Sequence, residues 1–297
     1  KNSENSNISA TVTIEVQHPD LISVTPSTFI ITGSDIKNIS VKGLSAGHSI
    51  VNLNVTPSYI TNFSQAFVRV TVEKSDVLYH ISTVVGWIYF LAWSVSFYPQ
   101  IYSNYKRKSV VGLNFDYLSL NVVGFIMYAL FNCGLYWIPE VELEYFRRYP
   151  KGLNPVQVND IFFALHATFA TVITIIQCFV YERGNQRVSI TARIIHGIFA
   201  LFIFISMILA IVAVIMWLDF LYYCSYVKLS ITLIKYVPQA FYNYKRKSTV
   251  GWSIGNIFLD FTGDDWESIF GDPTKFGLGF FSVAFDIFFI IQHYVLY

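Results

Sequence analysis

Charge is scarce in this chain. Only 13% of its 297 residues are Asp, Glu, Lys or Arg, 54% are hydrophobic, and the mean hydropathy is +0.48. That balance excludes a soluble globule of this size and requires that most of the chain sit in lipid. Cysteine is scarce too: Cys133, Cys178 and Cys224 all fall in apolar runs. The polar N-terminal region therefore has no disulfide framework, and the three thiols read as buried packing residues rather than redox or metal groups. Net charge is only +1, which provides no field for nucleic acid. No nucleophile with a nearby base and no metal-ligand cluster is visible, so neither an enzyme nor a resident cofactor or metal is expected.

What is present divides near Lys74-Ser75-Asp76. Before it, Thr11–Val16, Thr28–Thr32, Ile50–Val55 and Ala66–Val72 are rich in Val, Ile and Thr and alternate at period two, with Gly and Pro turns between them. Residues 1–75 are expected to form a small β-sandwich. Asn-x-Ser/Thr sequons begin at Asn7, Asn38, Asn54 and Asn62 and none follows residue 79, a partition that suits a glycosylated, lumenal or extracellular N-terminus.

After the boundary come apolar runs at about 79–102, 114–137, 159–181, 194–217, 220–242 and 274–297, each near the ~20 residues a span needs. A further run from Ser253 stops at Gly263, before Asp264-Asp265-Trp266-Glu267. Its roughly 11 residues cover only about 16 Å at ~1.5 Å per residue, half a bilayer core. Tyr98–Gly124 aligns without gaps on Val237–Gly263 at an offset of 139, sharing Pro-Gln, Asn-Tyr-Lys-Arg-Lys-Ser and Val-Gly. In the first copy the helix continues to Trp137, so the second is expected to lack roughly 15 residues after Gly263. Counting that span, the expected fold is an all-α membrane region of seven helices. Two parallel three-helix bundles, 79–190 and 220–297, flank a linker helix at 194–217, a 3+1+3 arrangement.

With the N-terminus outside, the cytosolic loops carry Lys106, Arg107, Lys108, Arg183, Arg187, Arg193, Lys245, Arg246 and Lys247; the other connections carry Arg147, Arg148, Lys151 and Lys275. The excess on one side follows the positive-inside rule and puts the C-terminus in the cytosol. A cytosolic face able to dock signalling proteins is compatible with this arrangement.

Pro99 and Pro238 lie within apolar runs, where proline removes a backbone donor and kinks the helix. Gln100 and Gln239 can bond the freed backbone groups. The duplicated pair reads as two hinges or gates, with a pair of static kinks as the alternative. Ionisable side chains in spans usually face a cavity, which singles out Lys228, Lys235, Asp260 and Asp286. Lys228, Thr232, Lys235 and Gln239 share one helical face; Ser253, Asn256, Asp260 and Gly263 share another; Ser282, Asp286 and His293 a third. The repeat sets Asn121 opposite Asp260, so only the second copy can take a proton there, an asymmetry that suits coupling. An ion pair of Asp260 with Lys235 is the structural alternative. Asp116 reads as a helix cap and Asp160 as either a cap or a functional acid; His166 and His196 read as packing residues.

The paired Pro-Gln motifs, the sequon-rich N-terminus, Gly251-Trp252-Ser253-Ile254-Gly255-Asn256 and Phe270-Gly271-Asp272-Pro273-Thr274-Lys275-Phe276-Gly277 resemble the cystinosin family of PQ-loop transporters. The resemblance covers essentially the whole chain. It implies proton-coupled export of L-cystine from the lysosome lumen by alternating access. It also implies coupling acids at Asp260, Asp160 and Asp286 and a binding pocket at Asn121, Lys228, Asn256 and Lys275, with Trp93 as a wall. Cystine carries two ammonium and two carboxylate groups, so anionic and cationic partners at mid-membrane, including Asp260 and Asp286, suit it. Other readings stay open at this point. A seven-span receptor shares the gross architecture, although the gapless repeat argues against it. Sugars or cationic amino acids could be the cargo of the same fold, but sugars need no such acids and two lysines would repel a dibasic cargo.

Overall fold

The computed structural model describes residues 9–32, 36–56, 67–73, 75–149, 154–263 and 273–297, with the side chains of 76, 78, 79, 259–263 and 273–281 outside that description. Two compact units result.

In the first unit, alternating β-branched residues form β1 (Ser9–Val16), β2 (Ile22–Thr25), β3 (Thr28–Thr32), β4 (Ser40–Gly43), β5 (Gly47–Thr56) and β6 (Phe67–Val72). An antiparallel sheet runs β3-β1-β5-β6, and β2 pairs with β4 in a two-stranded ribbon. The register sets Val12 between Phe29 and Val55, so that one face of β1 buries Ala10, Val12 and Ile14. Leu21 and Ile22 pack on Ile14 and Val51, joining ribbon and sheet through one apolar core. Residues 143–155 also belong to this unit: Phe146 stacks on His48 with ring centres 3.7 Å apart. Asn38 and Asn54 are exposed, with the Asn54 amide donating to Glu15 at 3.3 Å; Asn7 and Asn62 lie outside the described residues.

The second unit is helical. It comprises most of α1 (Asp76–Ser96), then α2 (Tyr98–Arg107), α3 (Phe115–Trp137), the start of α4 (Pro139–Arg148), α5 (Val158–Val180) and α6 (Ile190–Ile211). α7 (Trp217–Ile234), α8 (Tyr236–Arg246), α9 (Ile254–Gly263) and α10 (Pro273–Ile291) follow, ending in a π-helical turn at Gln292–Leu296. Among the described residues, four helical stretches are long and apolar enough to cross a membrane: residues 80–107, 115–137, 158–180 and 190–211. The first joins α1 and α2 through Phe97. α3 packs against both α5 and α7. Close approach to α7 depends on Gly134, where a Cβ would fall 2.6 Å from Leu221 Cδ1. α6 rests on α7 and α3 while Ile194, Ile198 and Leu201 stay exposed, as lipid-facing residues of an almost wholly apolar helix should. Cys178 and Cys224 are buried and Cys133 half-buried, all as free thiols. The segment after Gly263, where the second copy runs short, lies outside the described residues.

Candidate functional site

The two prolines set the geometry of the site. Pro99 lies in the first turn of α2 and Pro238 in that of α8; without an N–H neither can close the bond to the carbonyl four residues back. The paths therefore break at Phe97 and at Lys235. The preceding helices, α1 and α7, then face α3 across a cavity lined by Trp93, Asn121, Tyr128, Lys228, Lys235 and Asn256, among others. At about 90 Å³ the cavity exceeds the ~10–15 Å³ that one water requires, so it has room for several beside its polar groups.

Within it, Lys235 Nζ donates to Asn121 Oδ1 at 3.2 Å and lies 4.7 Å from the Tyr236 ring centre and 5.7 Å from that of Phe125. Lys228 Nζ sits 4.8 Å from the Tyr128 ring. Thr232 also lines the wall and donates to Lys228 O. Aromatic faces thus hold two ammonium groups by cation–π attraction, a setting that suits an anionic ligand. The cavity can accept carboxylates.

Of the residues singled out in the sequence, Trp93, Asn121, Lys228 and Asn256 do converge here. Asp260 and Lys275 belong to α9 and α10, and their side chains lie outside the described residues. Asp286 is fully buried on α10 but is not part of the cavity wall. Asp160 stands in the first turn of α5 and accepts the Gln157 N–H at 2.8 Å, a capping contact. Asn114, not Asp116, caps α3, while Asp116 accepts the Ser189 N–H at 2.7 Å. His166 meets the Tyr98 hydroxyl at 2.8 Å and His196 the Ser119 hydroxyl at 3.0 Å, both as packing residues.

Gln100 and Gln239 do bond backbone groups, but those of the opposite copy. Gln100 Nε2 donates to Gly251 O at 3.1 Å and its Oε1 accepts the Ser253 N–H at 2.8 Å. Gln239 Nε2 donates to Gly112 O at 3.2 Å and its Oε1 accepts the Asn114 N–H at 2.7 Å. The two Val-Gly loops meet where these anchors hold them. Gly112 and Gly251 have φ of +107° and +101°, and a Cβ on either would fall about 2 Å from the carbonyl of Val250 or Val111. Only glycine permits this crossing. Just inside it, Tyr117 stacks edge-on to Trp252 at 4.8 Å and lies 5.8 Å from Tyr236, closing the cavity at that end.

Each anchor is itself braced. Gln100 Nε2 also donates to Asn104, Asn104 Nδ2 to Gln177, and Gln177 Nε2 to Ile101 O. Gln239, Asn243, Gln292 and Ala240 O repeat the chain in the second copy. All six side chains are buried, and a satisfied buried network of this kind is rigid. The shared run Asn-Tyr-Lys-Arg-Lys-Ser has one structural job in both copies. Its Asn joins the network, its Tyr lies under the last Lys at 3.6 and 3.7 Å, and its Arg binds the Val carbonyl at 2.9 Å. Lys108 and Lys247 end the helices at φ of 51° and 52°. Asn104 and Asn243 were legible in the repeat. Gln177 and Gln292 were not, because they fall beyond its gapless part, and their only signal is an amide in an apolar run.

The PQ loop repeat family matches residues 81–141 and 220–264. Cystinosin from Drosophila melanogaster is 56% identical over 303 aligned positions, which cover 96% of this chain and 76% of the relative. Cystinosin from Bos taurus is 47% identical, with 97% and 80% covered. A more distant relative, the cystine transporter of Saccharomyces cerevisiae, is 26% identical over 72% of this chain and 94% of its own length. Together with the duplicated Pro-Gln architecture built around one cavity, these relatives show that the chain belongs to the cystinosin family of multi-pass membrane proteins.

Proposed function

We propose that this protein exports L-cystine from the lysosome lumen to the cytosol, coupled to protons, by alternating access. The observation that carries the reading is the polar-lined cavity in which Lys235 and Lys228 stand beside Asn121 and Asn256, closed at one end by the two crossed loops. Lysines there pair with the carboxylates of cystine, and Asp260, opposite Asn121 in the repeat, provides the acid for an ammonium group or a proton. Relatives named as cystinosins and as a cystine transporter support the same cargo.

The full arrangement is seven spans as 3+1+3, with 79–190 and 220–297 as the bundles, 194–217 as the linker and 1–75 as a lumenal domain glycosylated at Asn7, Asn38, Asn54 and Asn62. The loops that carry the Lys-Arg-Lys runs then face the cytosol, so the present crossing is the cytosolic gate closed. Protonation of Asp260 from the lumen, with Asp286 and Asp160 as further acids, removes a charge that opposes the switch. A gradient of about two pH units supplies roughly 2.7 kcal/mol per proton. The Pro99 and Pro238 breaks are the hinges, and Gln100 and Gln239 hold or release the loops.

Direct binding tests the cargo. Labelled cystine should bind the purified protein in lipid nanodiscs, resist competition by arginine and glucose, and bind Lys235→Met more weakly by about tenfold or more. Equal displacement by arginine or glucose would overturn the substrate.

A further inference from the structure

A second cavity lies away from the transport path. α5 packs on α3, and α6 on α3 and α7, but α5 and α6 make at most marginal contact with one another. The groove left between them is floored by α3 and has a volume of about 610 Å³. Its inner wall is apolar, formed by Leu118, Val122, Ile175 and Phe179, and Phe179 is 77% exposed on the side that faces lipid. Its mouth, at the end of the helices that carries the Lys-Arg-Lys runs, is ringed by Arg183, Arg187 and Arg193. None of these residues lines the central cavity.

The arginines are unsatisfied as a group. Arg193 spends only its Nε, on Val188 O at 3.1 Å. The guanidinium groups of Arg183 and Arg187 have no hydrogen bond or ion pair among the described residues. Neither nearby carboxylate forms an ion pair with them: Asp116 accepts the Ser189 N–H, and the Glu182 side chain is exposed to solvent. Arg183 and Arg187 also wall an adjoining polar pocket of about 370 Å³ with Asn185 and Tyr242.

We propose that this groove is a binding site for an anionic phospholipid. One acyl chain lies along the α3 floor, the phosphate is held by the three guanidinium groups, and the headgroup hydroxyls occupy the adjoining pocket. Guanidinium is suited to phosphate because its planar donors bind two oxygens at once, and basic pockets between membrane helices on the positively flanked side bind such headgroups. A soluble anion would leave the apolar wall without a role. A second copy of the chain would bring three like charges against three.

Native mass spectrometry of the detergent-purified protein titrated with phosphatidylinositol and phosphatidylcholine tests this. The native chain should prefer phosphatidylinositol, and Arg183→Gln/Arg187→Gln/Arg193→Gln should lose that preference by about 100-fold, at a factor of roughly five for each basic residue. Val122→Trp, which fills the groove without touching an arginine, should also weaken lipid binding. Glycerophosphoinositol, the headgroup without chains, and inorganic phosphate should not compete. Equal binding of the two lipids by the native chain, which needs no variant, would overturn the proposal. Unchanged selectivity in the triple variant would overturn the arginine site, and full competition by either soluble anion would overturn the lipid.

Discussion

Replacing Gln100 by Leu keeps the length of the side chain and removes its amide. In the present conformation that leaves Gly251 O and the Ser253 N–H without their partner, and also takes the Asn104 Oδ1 donor. A buried backbone group without a partner costs about 1–3 kcal/mol, so two cost about 2–6. The chain need not unfold to escape that cost, because separating the two Val-Gly loops returns both groups to water. The expected result is therefore a shift toward separated loops of at least about 30-fold, with unfolding stability changed much less. Spin labels at Lys106→Cys and Lys245→Cys, both exposed, report the loop separation by pulsed electron resonance. The native protein should show a short distance, Gln100→Leu a longer one, and Gln239→Leu the same lengthening by symmetry. A distance distribution unchanged in both variants would refute the reasoning, since the amides would then not hold the loops together.

Gly251→Ala should open the same contact by another route, since its Cβ would meet Val111 O at 2.2 Å at a φ of +101°; the same label pair should lengthen, and an unchanged distance would mean that the backbone relaxes locally. Lys235→Met removes the donor to Asn121 Oδ1 and should weaken cystine binding about tenfold or more, at ~1.5–3 kcal/mol for a charged hydrogen bond. Lys228→Met, whose ammonium faces the Tyr128 ring, should act in the same direction, and full binding in both variants would remove the cavity from the account. Asn38→Gln and Asn54→Gln should each remove one glycosidase-sensitive step in electrophoretic mobility, and identical mobility would exclude those two exposed residues as acceptors.

The apolar helices were legible because lipid demands long uninterrupted hydrophobic stretches, and the sheet because β1, β3, β5 and β6 alternate. α4 was missed: Pro139–Arg148 is amphipathic and charged, and its sequence reads as a connection until Phe146 is seen against His48. β2 and β4 have four residues each, too few for an alternation to register. The stripe Lys228, Thr232, Lys235 was correctly grouped. Gln239 was placed on it by an unbroken helical period, but the path bends at Lys235 and sends that amide to the opposite loop. The cross-over itself could not be read, because a gapless repeat shows that two segments are alike and not that each anchors the other.

Proton-coupled cystine export is tested most directly by the release of labelled cystine from preloaded vesicles with the Lys-Arg-Lys loops outward and an acidic or neutral interior, for the native protein and Asp260→Asn. Protons leaving the interior energise cystine exit, so vesicles preloaded with cystine should empty faster when acid inside, while Asp260→Asn should lose that acceleration; uptake measures the reverse leg and should be slowed by the same gradient. Flux indifferent to the gradient in the native protein, or an unaltered pH response in Asp260→Asn, would contradict the account.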